Sequence, residues 1–309
     1  MTQTTPKTSP AIDAPAHVHA DAPIPTSKLV ITGAEGSQIE AKVGRAGTSG
    51  PDVVFLHGLV GLNDHWEHVV RATQHRLRST LLELPLLELT GEDCSIQGVS
   101  VLTERWLAAN FSEPVVLVGN SFGGHVALRI AIERPELVRG LVLAGASGLI
   151  EKSMVADVQI RPSREWLARK IGELFHDQRF MSETDLDRAF ASLSKRGGAR
   201  AMVKLSRSAR RNHLGKKLGM IQCPTLLIWG KQDIVTPPEA AEGFLSSIRG
   251  SEIVWFDQCG HAPMIEKPAE FASALAAFAE RVAHAGGTSG GHAAGPVVKH
   301  SGSASGTSR

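Results

Sequence analysis

The sequence of 309 residues contains no tyrosine, only three cysteines and no apolar run of about 18 residues, the length that marks a membrane span. We therefore predict no transmembrane helix. The cysteines are odd in number, widely spaced and without a C-x-x-C pair: Cys94, Cys223 and Cys259. This usage argues against a disulfide framework and favours a reducing compartment, the cytoplasm.

Neither sign of charge is in large excess, because the formal net charge is +2 and charged residues make up 21% of the chain. Such a balance gives no support to a nucleic-acid partner, and we predict none. A hydrophobic share of 42% is ordinary for a soluble globular protein. The length is sufficient for one large α/β domain or two small domains with a sizeable core.

The two ends of the chain differ in composition from the rest. Residues 1–27 are rich in Pro, Thr and Ala and lack a basic start followed by an apolar core, so we predict a disordered leader rather than a signal peptide. Residues 286–309 form a Gly/Ser-rich segment, which we predict to be a disordered tail. The leader contains His17 and His19, too few ligands for a metal site.

Between these ends, strand patterns alternate with helical patterns. Continuous apolar runs such as "DVVFLHG", "PVVLVG" and "PTLLIWG" are typical of parallel strands that are covered on both faces. The alternation predicts an α/β fold, with a mostly parallel eight-stranded sheet flanked by helices. It breaks over residues 151–218, which show helical patterns only. We predict a helical cap inserted there, after strand six, and a core formed by residues 28–150 and 219–285.

The segment "VVLVGNSFGGHVAL" joins a buried strand to a helix through Ser121, which has glycines on both sides. G-x-S-x-G at such a junction is typical of a nucleophile elbow, a strained turn that exposes the serine Oγ at the end of the sheet. The free N–H groups of the helix N-terminus then face the reaction centre. We expect larger side chains at Gly119 and Gly123 to collide with the neighbouring strand and helix. The alternative is a turn whose serine only caps the helix.

A nucleophilic serine needs a base, and the base needs an acid that orients it. With a nucleophile elbow the chain order is Ser, then Asp or Glu, then His. Asp233 follows the strand "PTLLIWG" and His261 follows the strand "SEIVWFD", so both lie at the same sheet edge as Ser121. We predict these three as the triad. The rival acid is Asp257, four residues before His261.

The tetrahedral intermediate needs backbone N–H donors, an oxyanion hole. One donor is expected from Phe122, the residue after the serine, and the other from Leu59, in the loop after the third strand. His57 belongs to the same loop but precedes the serine in the chain. We interpret it as a residue that shapes the loop rather than as the base.

The motifs "FLHGLVG", "VGNSFGGHVAL", "LLIWGKQDIVTPP" and "FDQCGHAPMIEKP" together resemble the α/β-hydrolase fold superfamily, over about residues 28 to 284. The resemblance implies a covalent two-step hydrolysis without a cofactor. In it, Ser121 attacks a carbonyl, His261 acts as base and Asp233 holds the imidazolium. The implied enzyme is a carboxylesterase-like serine hydrolase (EC 3.1.1) with a small-molecule ester or acyl substrate.

Subfamily features conflict. The "GNSFGG" elbow is similar to that of carbon–carbon bond hydrolases that act on ring-cleavage products. Those enzymes tend to carry H-G-x-G-P-G in the oxyanion loop and a Trp after the catalytic His, whereas this chain has "HGLVG" and Ala262. Carbon–carbon bond hydrolysis therefore stays an alternative, as do perhydrolase chemistry and a non-catalytic ligand-binding member. Epoxide hydrolases and haloalkane dehalogenases use an Asp nucleophile, so Ser121 argues against both.

The cap contains nine Lys or Arg residues and no Asp or Glu between Lys195 and Lys217. These cations form either a solvated helical face or a site where Arg207 or Arg211 holds a substrate carboxylate in the cleft. We expect Trp166 to contribute to an apolar substrate pocket, together with Phe175, Phe180 and Met181, the alternative for each being packing of cap on core. The segment "HWEH" departs from the H-E-x-x-H zinc motif, so we predict no metal.

Overall fold

A computed structural model describes residues 22–151 and 163–285 and the backbone of residues 297–300. Its strands form one sheet in the order β1-β2-β4-β3-β5-β6-β7-β8-β9. The strands are β1 (Thr26–Thr32), β2 (Gln38–Ala46), β3 (Asp52–Leu56), β4 (Arg78–Glu83), β5 (Val115–Asn120), β6 (Val138–Ala144), β7 (Thr225–Gly230), β8 (Glu252–Phe256) and β9 (Val297–His300). β2 pairs antiparallel with β1 and β4, whereas the pairs from β4 through β9 are parallel.

Helices cover both faces of this sheet. They are α1 (Glu67–Thr73), α2 (Ile96–Asn110), α3 (Phe122–Glu133), α4 (Arg164–Gly172), α5 (Glu183–Ser194), α6 (Gly198–Arg211), α7 (Pro238–Ser247), α8 (Pro263–Glu266) and α9 (Pro268–Ala285). Buried side chains of α2, α3 and α7 belong to one core cluster, and those of α1 and α9 to the other. Within the described ranges, no helix combines the length and the apolar character that crossing a membrane requires.

The continuous apolar runs of the sequence are explained by burial on both faces of the sheet. In β5, Val115 and Leu117 belong to the core cluster on one face, and Val116 and Val118 to the cluster on the other. Side chains alternate across a strand, so a strand between two helix layers needs apolar residues at every position. The predicted fold class, a mostly parallel sheet flanked by helices, is confirmed.

The two ends of the folded part depart from the predicted boundaries. β1 begins at Thr26, and Ile24 is buried, with its N–H donating to Glu67 Oε1 at 3.0 Å. Residues 24–27 therefore do not belong to a disordered leader. β9 lies within the predicted disordered tail and pairs with β8, so the sheet has a ninth strand. Four residues among glycines and serines give too short a pattern to predict a strand.

The helical insertion, described from residue 163 to residue 218, contains α4, α5 and α6 between β6 and β7. Ser163 and Ser182 cap two of its helices, since their hydroxyls accept the N–H groups of Trp166 at 3.2 Å and Asp185 at 3.4 Å. The insertion has its own small core, formed by Trp166, Leu167, Ile171, Leu186, Ala189, Leu193 and Met202. Part of the predicted cap, residues 152–162, lies outside the described residues.

Candidate active site

Ser121 stands at the sharp turn between β5 and α3. Its backbone dihedrals are φ 51° and ψ −116°, a region that residues with a side chain rarely adopt. The turn is fixed on both sides: Ser121 N–H donates to Ala144 O at 3.1 Å, and Ser121 O accepts from Ser147 N at 3.0 Å and His125 N at 3.1 Å. Such strain at a serine between a strand and a helix is the geometry of a nucleophile elbow.

The glycines beside Ser121 are required by close backbone contacts. A Cβ at Gly119 would lie 2.4 Å from Gly123 O in α3, and a Cβ at Gly123 would lie 2.3 Å from Leu56 O at the end of β3. Gly124 is equally restricted, because its Cβ would lie 2.5 Å from that of Ala146. These contacts confirm the predicted collisions with the neighbouring helix and strand.

Asp233 lies in the turn after β7, and its buried carboxylate accepts four hydrogen bonds. Oδ1 accepts from the N–H groups of Val235 at 2.8 Å and Thr236 at 2.9 Å. Oδ2 accepts from the Thr236 hydroxyl at 2.9 Å and faces His261 Nδ1 at 2.9 Å. A carboxylate held at both oxygens has a fixed orientation, so the imidazole bonded to it is fixed as well.

His261 lies in the loop after β8 and is only 4% exposed. Its backbone is bonded on both sides, since its carbonyl accepts from Asn120 Nδ2 at 3.0 Å and its N–H donates to Leu174 O at 2.8 Å. With Nδ1 directed at Asp233, Nε2 is the ring nitrogen that is left for a proton transfer. His261 and Ser121 line the same cavity. The structure thus brings together the three side chains that the sequence analysis singled out.

The rival acid, Asp257, is directed away from this arrangement. It accepts from Gln232 Nε2 at 3.2 Å, and this hydrogen bond holds the pKa of the exposed Asp257 carboxyl below its ordinary value. Lys231 lies 3.9 Å away and lowers it further. Asp233, not Asp257, contacts His261.

Two residues that support the site were missed in the sequence analysis. Thr236 donates to Asp233 and lies 3.2 Å from His261 Nδ1, and Asn120 donates to both Ala144 O and His261 O. A hydroxyl three residues after an Asp is a common turn partner, so Thr236 could have been found from "DIVT". Asn120 precedes the serine directly, but only the fold brings it to the His261 loop.

The predicted oxyanion donors belong to residues that line the cavity. Phe122 is the first residue of α3, and the first N–H groups of a helix have no acceptor within that helix. Leu59 follows Gly58, whose carbonyl accepts from Gly61 N at 3.0 Å and closes a turn above the end of β3. His57 is buried beside them with Nδ1 2.8 Å from Gly58 O, and burial lowers the pKa of its imidazole. This contact agrees with a loop-shaping role for His57.

The cavity has a volume of about 180 Å³ and lies between the sheet edge and the helical insertion. Its apolar wall includes Trp166 and Phe175, as expected, but neither Phe180 nor Met181. The insertion also contributes Leu167, Ile171, Leu174, Ala189 and Met202. Besides Ser121 and His261, the charged and polar lining residues are His65, Asn120, Ser147, Glu151, Lys170, Ser182, Asp185, Ser206 and Arg210.

The expectation that Arg207 or Arg211 points into the cleft is wrong. Both line a separate groove on the outer side of α6, next to Cys94 and Ser95. Arg210 lines the cavity instead. Successive residues of a helix are rotated by about 100° around its axis. A shift of one position along α6 therefore moves a side chain from the groove, as at Arg211, to the cavity, as at Arg210.

The described residues contain no group of three or more His, Cys, Asp or Glu side chains placed to hold a metal ion. In the segment "HWEH", Trp66 is fully buried with its ring 5.2 Å from that of Phe55, and Glu67 accepts from Ile24 N–H. These residues have packing and hydrogen-bonding roles. The histidine pair His17 and His19 lies outside the described residues.

A family model described as the alpha/beta hydrolase family matches residues 53–274. The chain belongs to the alpha/beta hydrolase family. A pimeloyl-[acyl-carrier protein] methyl ester esterase of Nitrosomonas europaea is 29% identical over 246 residues, which cover 74% of this chain and 96% of that protein. A 2-hydroxy-6-oxo-6-(2'-aminophenyl)hexa-2,4-dienoic acid hydrolase of Metapseudomonas resinovorans is 26% identical over 260 residues, which cover 79% of this chain and 88% of that protein.

Among solved structures, an alpha/beta hydrolase enzyme from the metagenome of sediments from the lagoon of Mar Chica, Morocco, is similar with a TM-score of 0.63 and 29% identity. The match covers 77% of this chain and 94% of that one. The family therefore includes relatives with different hydrolytic chemistries, and the choice between them depends on the site.

Proposed function

We propose that this protein is a serine hydrolase that cleaves an ester or related acyl bond of a small molecule through an acyl-enzyme, as a carboxylic ester hydrolase (EC 3.1.1). The observation that carries the proposal is the strained Ser121 at the same cavity as His261, whose Nδ1 lies 2.9 Å from the buried Asp233 carboxylate. The esterase relative from Nitrosomonas europaea supports the choice of an ester.

In the proposed reaction, Ser121 Oγ attacks the carbonyl carbon while its proton passes to His261 Nε2. Asp233 stabilises the imidazolium that forms, without taking the proton itself. The C–O bond of the ester then breaks, His261 returns its proton to the leaving oxygen, and the alcohol departs. Water attacks the acyl-enzyme with His261 again as base, which releases the acid and frees Ser121.

The negative oxygen of each tetrahedral intermediate would be held by the backbone N–H groups of Phe122 and Leu59. Both residues line the cavity, and the N-terminal end of α3 adds a favourable dipole. Removal of one such donor costs roughly a hundredfold to a thousandfold in rate in other hydrolases. The proposed role of Leu59 requires the loop after β3 to keep its turn, which Gly58 and Gly61 close.

A test of the proposal is hydrolysis of p-nitrophenyl butyrate, followed in the first turnover and at steady state. We expect a burst of nitrophenol equal to the enzyme concentration, and a loss of about 10⁶ in kcat for Ser121→Ala. The matched control is Ser147→Ala, since Ser147 lines the same cavity and is not assigned a chemical role. Wild-type activity in Ser121→Ala would contradict the proposal.

Carbon–carbon bond hydrolysis of a ring-cleavage product is the second candidate. The dienoic acid hydrolase of Metapseudomonas resinovorans and the "GNSFGG" elbow favour it. Both activities are measured on one protein preparation. If kcat/KM for a 2-hydroxy-6-oxo-dienoate exceeds kcat/KM for butyrate esters, carbon–carbon bond hydrolysis is the function and the ester proposal is wrong. The reverse ratio would support the ester hydrolase.

A non-catalytic, ligand-binding member of the fold is the alternative of another class. Folded wild-type protein that neither hydrolyses these substrates nor forms a covalent adduct at Ser121 would support it.

For location we propose the cytoplasm, because all three cysteines are free thiols. Burial raises the pKa of Cys223 to about 11 and raises that of Cys259 as well, which favours the neutral thiol over the reactive thiolate in both.

A further inference from the structure

A loop of the helical insertion, residues 174–177, rests directly on the loop that carries His261. Leu174 O accepts from His261 N–H at 2.8 Å. A Cβ at Gly260 would lie 2.8 Å from both His176 N and Leu174 O, so the two backbones are too close for any residue except glycine. The position of the proposed base is therefore coupled to the position of the insertion.

The carboxylate of Glu266, the last residue of α8, lies between these two loops. Its Oε1 accepts from Gly260 N at 2.7 Å, and its Oε2 accepts from His176 N at 2.8 Å and Asp177 N at 3.4 Å. One oxygen thus holds the loop of His261, and the other holds the loop of the insertion. The bonds go to backbone N–H groups, so they fix chain position and not a side chain.

Burial of the Glu266 carboxylate is unfavourable for folding. A positioning role explains why a charged residue occurs at this place. Glu266 is 5% exposed, and no Lys or Arg among the described residues forms an ion pair with it. Glutamates are almost never fully buried unless paired, because desolvation of a carboxylate is unfavourable. Burial accordingly raises the pKa of Glu266, against the opposing effect of the three N–H donors. An apolar residue would suffice if the site needed only packing.

We propose that Glu266 is a positioning residue, whose carboxylate makes the placement of His261 depend on the docked state of loop 174–177. The inference rests on the proposed function, because it assigns His261 the role of base. On the core side, Asn120 Nδ2 holds His261 O at 3.0 Å, and Asp233 holds the ring. Glu266 and Leu174 O supply the matching anchors on the insertion side. Displacement of the insertion loop then moves the base and lowers the rate.

The test compares Glu266→Gln and Glu266→Asp with the control Glu270→Gln, a substitution of an exposed glutamate on the adjacent α9. Gln keeps the volume but presents an NH₂ group to N–H donors, and Asp keeps the charge but is too short to reach both loops. A misplacement of about 1 Å at a catalytic group costs on the order of a hundredfold, so we expect both variants to lose about that factor in kcat. KM should change little, and Glu270→Gln should match the wild type.

A second readout does not depend on substrate. The proton between His261 Nδ1 and Asp233 Oδ2 gives a strongly downfield ¹H NMR resonance when the ring is held in place. We expect this resonance in the wild type and in Glu270→Gln, and its broadening or loss in folded Glu266→Gln. A wild-type resonance and kcat in Glu266→Gln would overturn the positioning role. Wild-type protein with the resonance but without hydrolysis or acylation would overturn the proposed function instead.

Discussion

Ser121 combines an unfavourable backbone conformation with the one hydroxyl that the proposed chemistry needs. Its φ of 51° with ψ of −116° suits glycine, and a side chain in such a region costs about 1–3 kcal/mol. The surrounding contacts of Gly119 and Gly123 leave the chain no room to relax. Strain and the proposed function therefore occur at the same residue, as is common at active sites.

This strain predicts a difference in stability between two variants that lack the Ser121 hydroxyl. The free energy of unfolding should be about 1 kcal/mol higher for Ser121→Gly than for Ser121→Ala. Glycine relieves the φ strain, and this gain exceeds the cost of its larger loss of chain entropy on folding. Urea denaturation of both variants measures the difference. Equal midpoints, or a less stable glycine variant, would show that the turn is not strained in solution.

The proposed acid of the triad can be tested by paired substitutions. Asp233→Asn should lower kcat by about 10⁴, since the amide favours the wrong imidazole tautomer while keeping the shape of the site. Asp257→Asn should leave kcat near the wild-type value, because Asp257 contacts Gln232 and not His261. Steady-state kinetics on a butyrate ester decide between them. Full activity in Asp233→Asn, with loss in Asp257→Asn, would reverse the assignment.

Burial of the His125 imidazole makes the free energy of unfolding depend on pH. The imidazole is fully buried, its Nε2 lies 3.2 Å from Asn212 O, and burial lowers its pKa from 6.5 to about 3. The unfolded chain therefore binds a proton near pH 6.5 that the folded chain refuses until about pH 3. The contribution of this neutral imidazole to stability is complete above pH 6.5 and is lost progressively as the pH falls toward 3.

The measurement is the free energy of unfolding of the wild type and of His125→Gln, whose amide can also donate to Asn212 O. Between about pH 7.5 and about pH 5.5, the wild type should lose roughly 1 kcal/mol more than the variant. Parallel pH dependences of the two proteins would show that burial does not lower the pKa of His125 in the folded state.

At the scale of elements, α6 separates two environments. Its inner side contributes Met202, Ser206 and Arg210 to the cavity, and its outer side contributes Arg207 and Arg211 to an exposed groove. The spacing of four residues between Ala201, Leu205 and Ala209 indicates one helix face, and all three side chains are buried. The spacing does not tell which flank of this face is turned toward the cavity, since that depends on how the insertion packs on the core.

The two faces of α6 predict contrasting effects of mutation. Arg207→Gln and Arg211→Gln should leave kcat/KM for small esters near that of the wild type, because both side chains are exposed in the outer groove. Trp166→Ala should raise KM, since its ring forms part of the apolar cavity wall and burial of such a ring against substrate is worth about 1–3 kcal/mol. A large effect of Arg207→Gln on KM would restore the original prediction for that side chain.

The elements around the site differ in how far the sequence predicts them. The elbow, Asp233 and His261 could be placed because each follows a strong strand pattern, and parallel strands bring such loops to one edge of the sheet. Asn120 and Glu266 could not, because their partners lie in loops that only tertiary packing brings close. Asn120 and Glu266 bond to backbone groups, which every residue type offers. The residue types of the partners therefore give no sign of the contact.

At the scale of the whole molecule, the sheet order explains why the site forms. β5, β7 and β8 are parallel strands in one sheet, so the loops that hold Ser121, Asp233 and His261 emerge from the same edge. The insertion after β6 enters from that edge and covers the site. The ninth strand pairs with β8 on the side away from β7. The three loops that hold the site follow β5, β7 and β8, so a sequence prediction without β9 still places them at one edge of the sheet.

The size of the covered cavity predicts a preference for short acyl groups. Its volume is about 180 Å³, and an apolar cavity of about 150 Å³ in another protein holds one benzene molecule. On p-nitrophenyl esters, kcat/KM should rise by about fourfold per CH₂ up to about four to six carbons, and fall for longer chains that displace the insertion. A continued rise to about twelve carbons would show that the cavity opens onto a longer channel.

The central claim is that Ser121 is an activated nucleophile. Its most direct test is labelling of the pure protein with a fluorophosphonate, beside Ser121→Ala and Ser147→Ala, with the modified peptide located by mass spectrometry. We predict one phosphonate per chain, located on Ser121, absent from Ser121→Ala and retained in Ser147→Ala. Folded wild-type protein that stays unlabelled, or a label that persists in Ser121→Ala, would contradict the account.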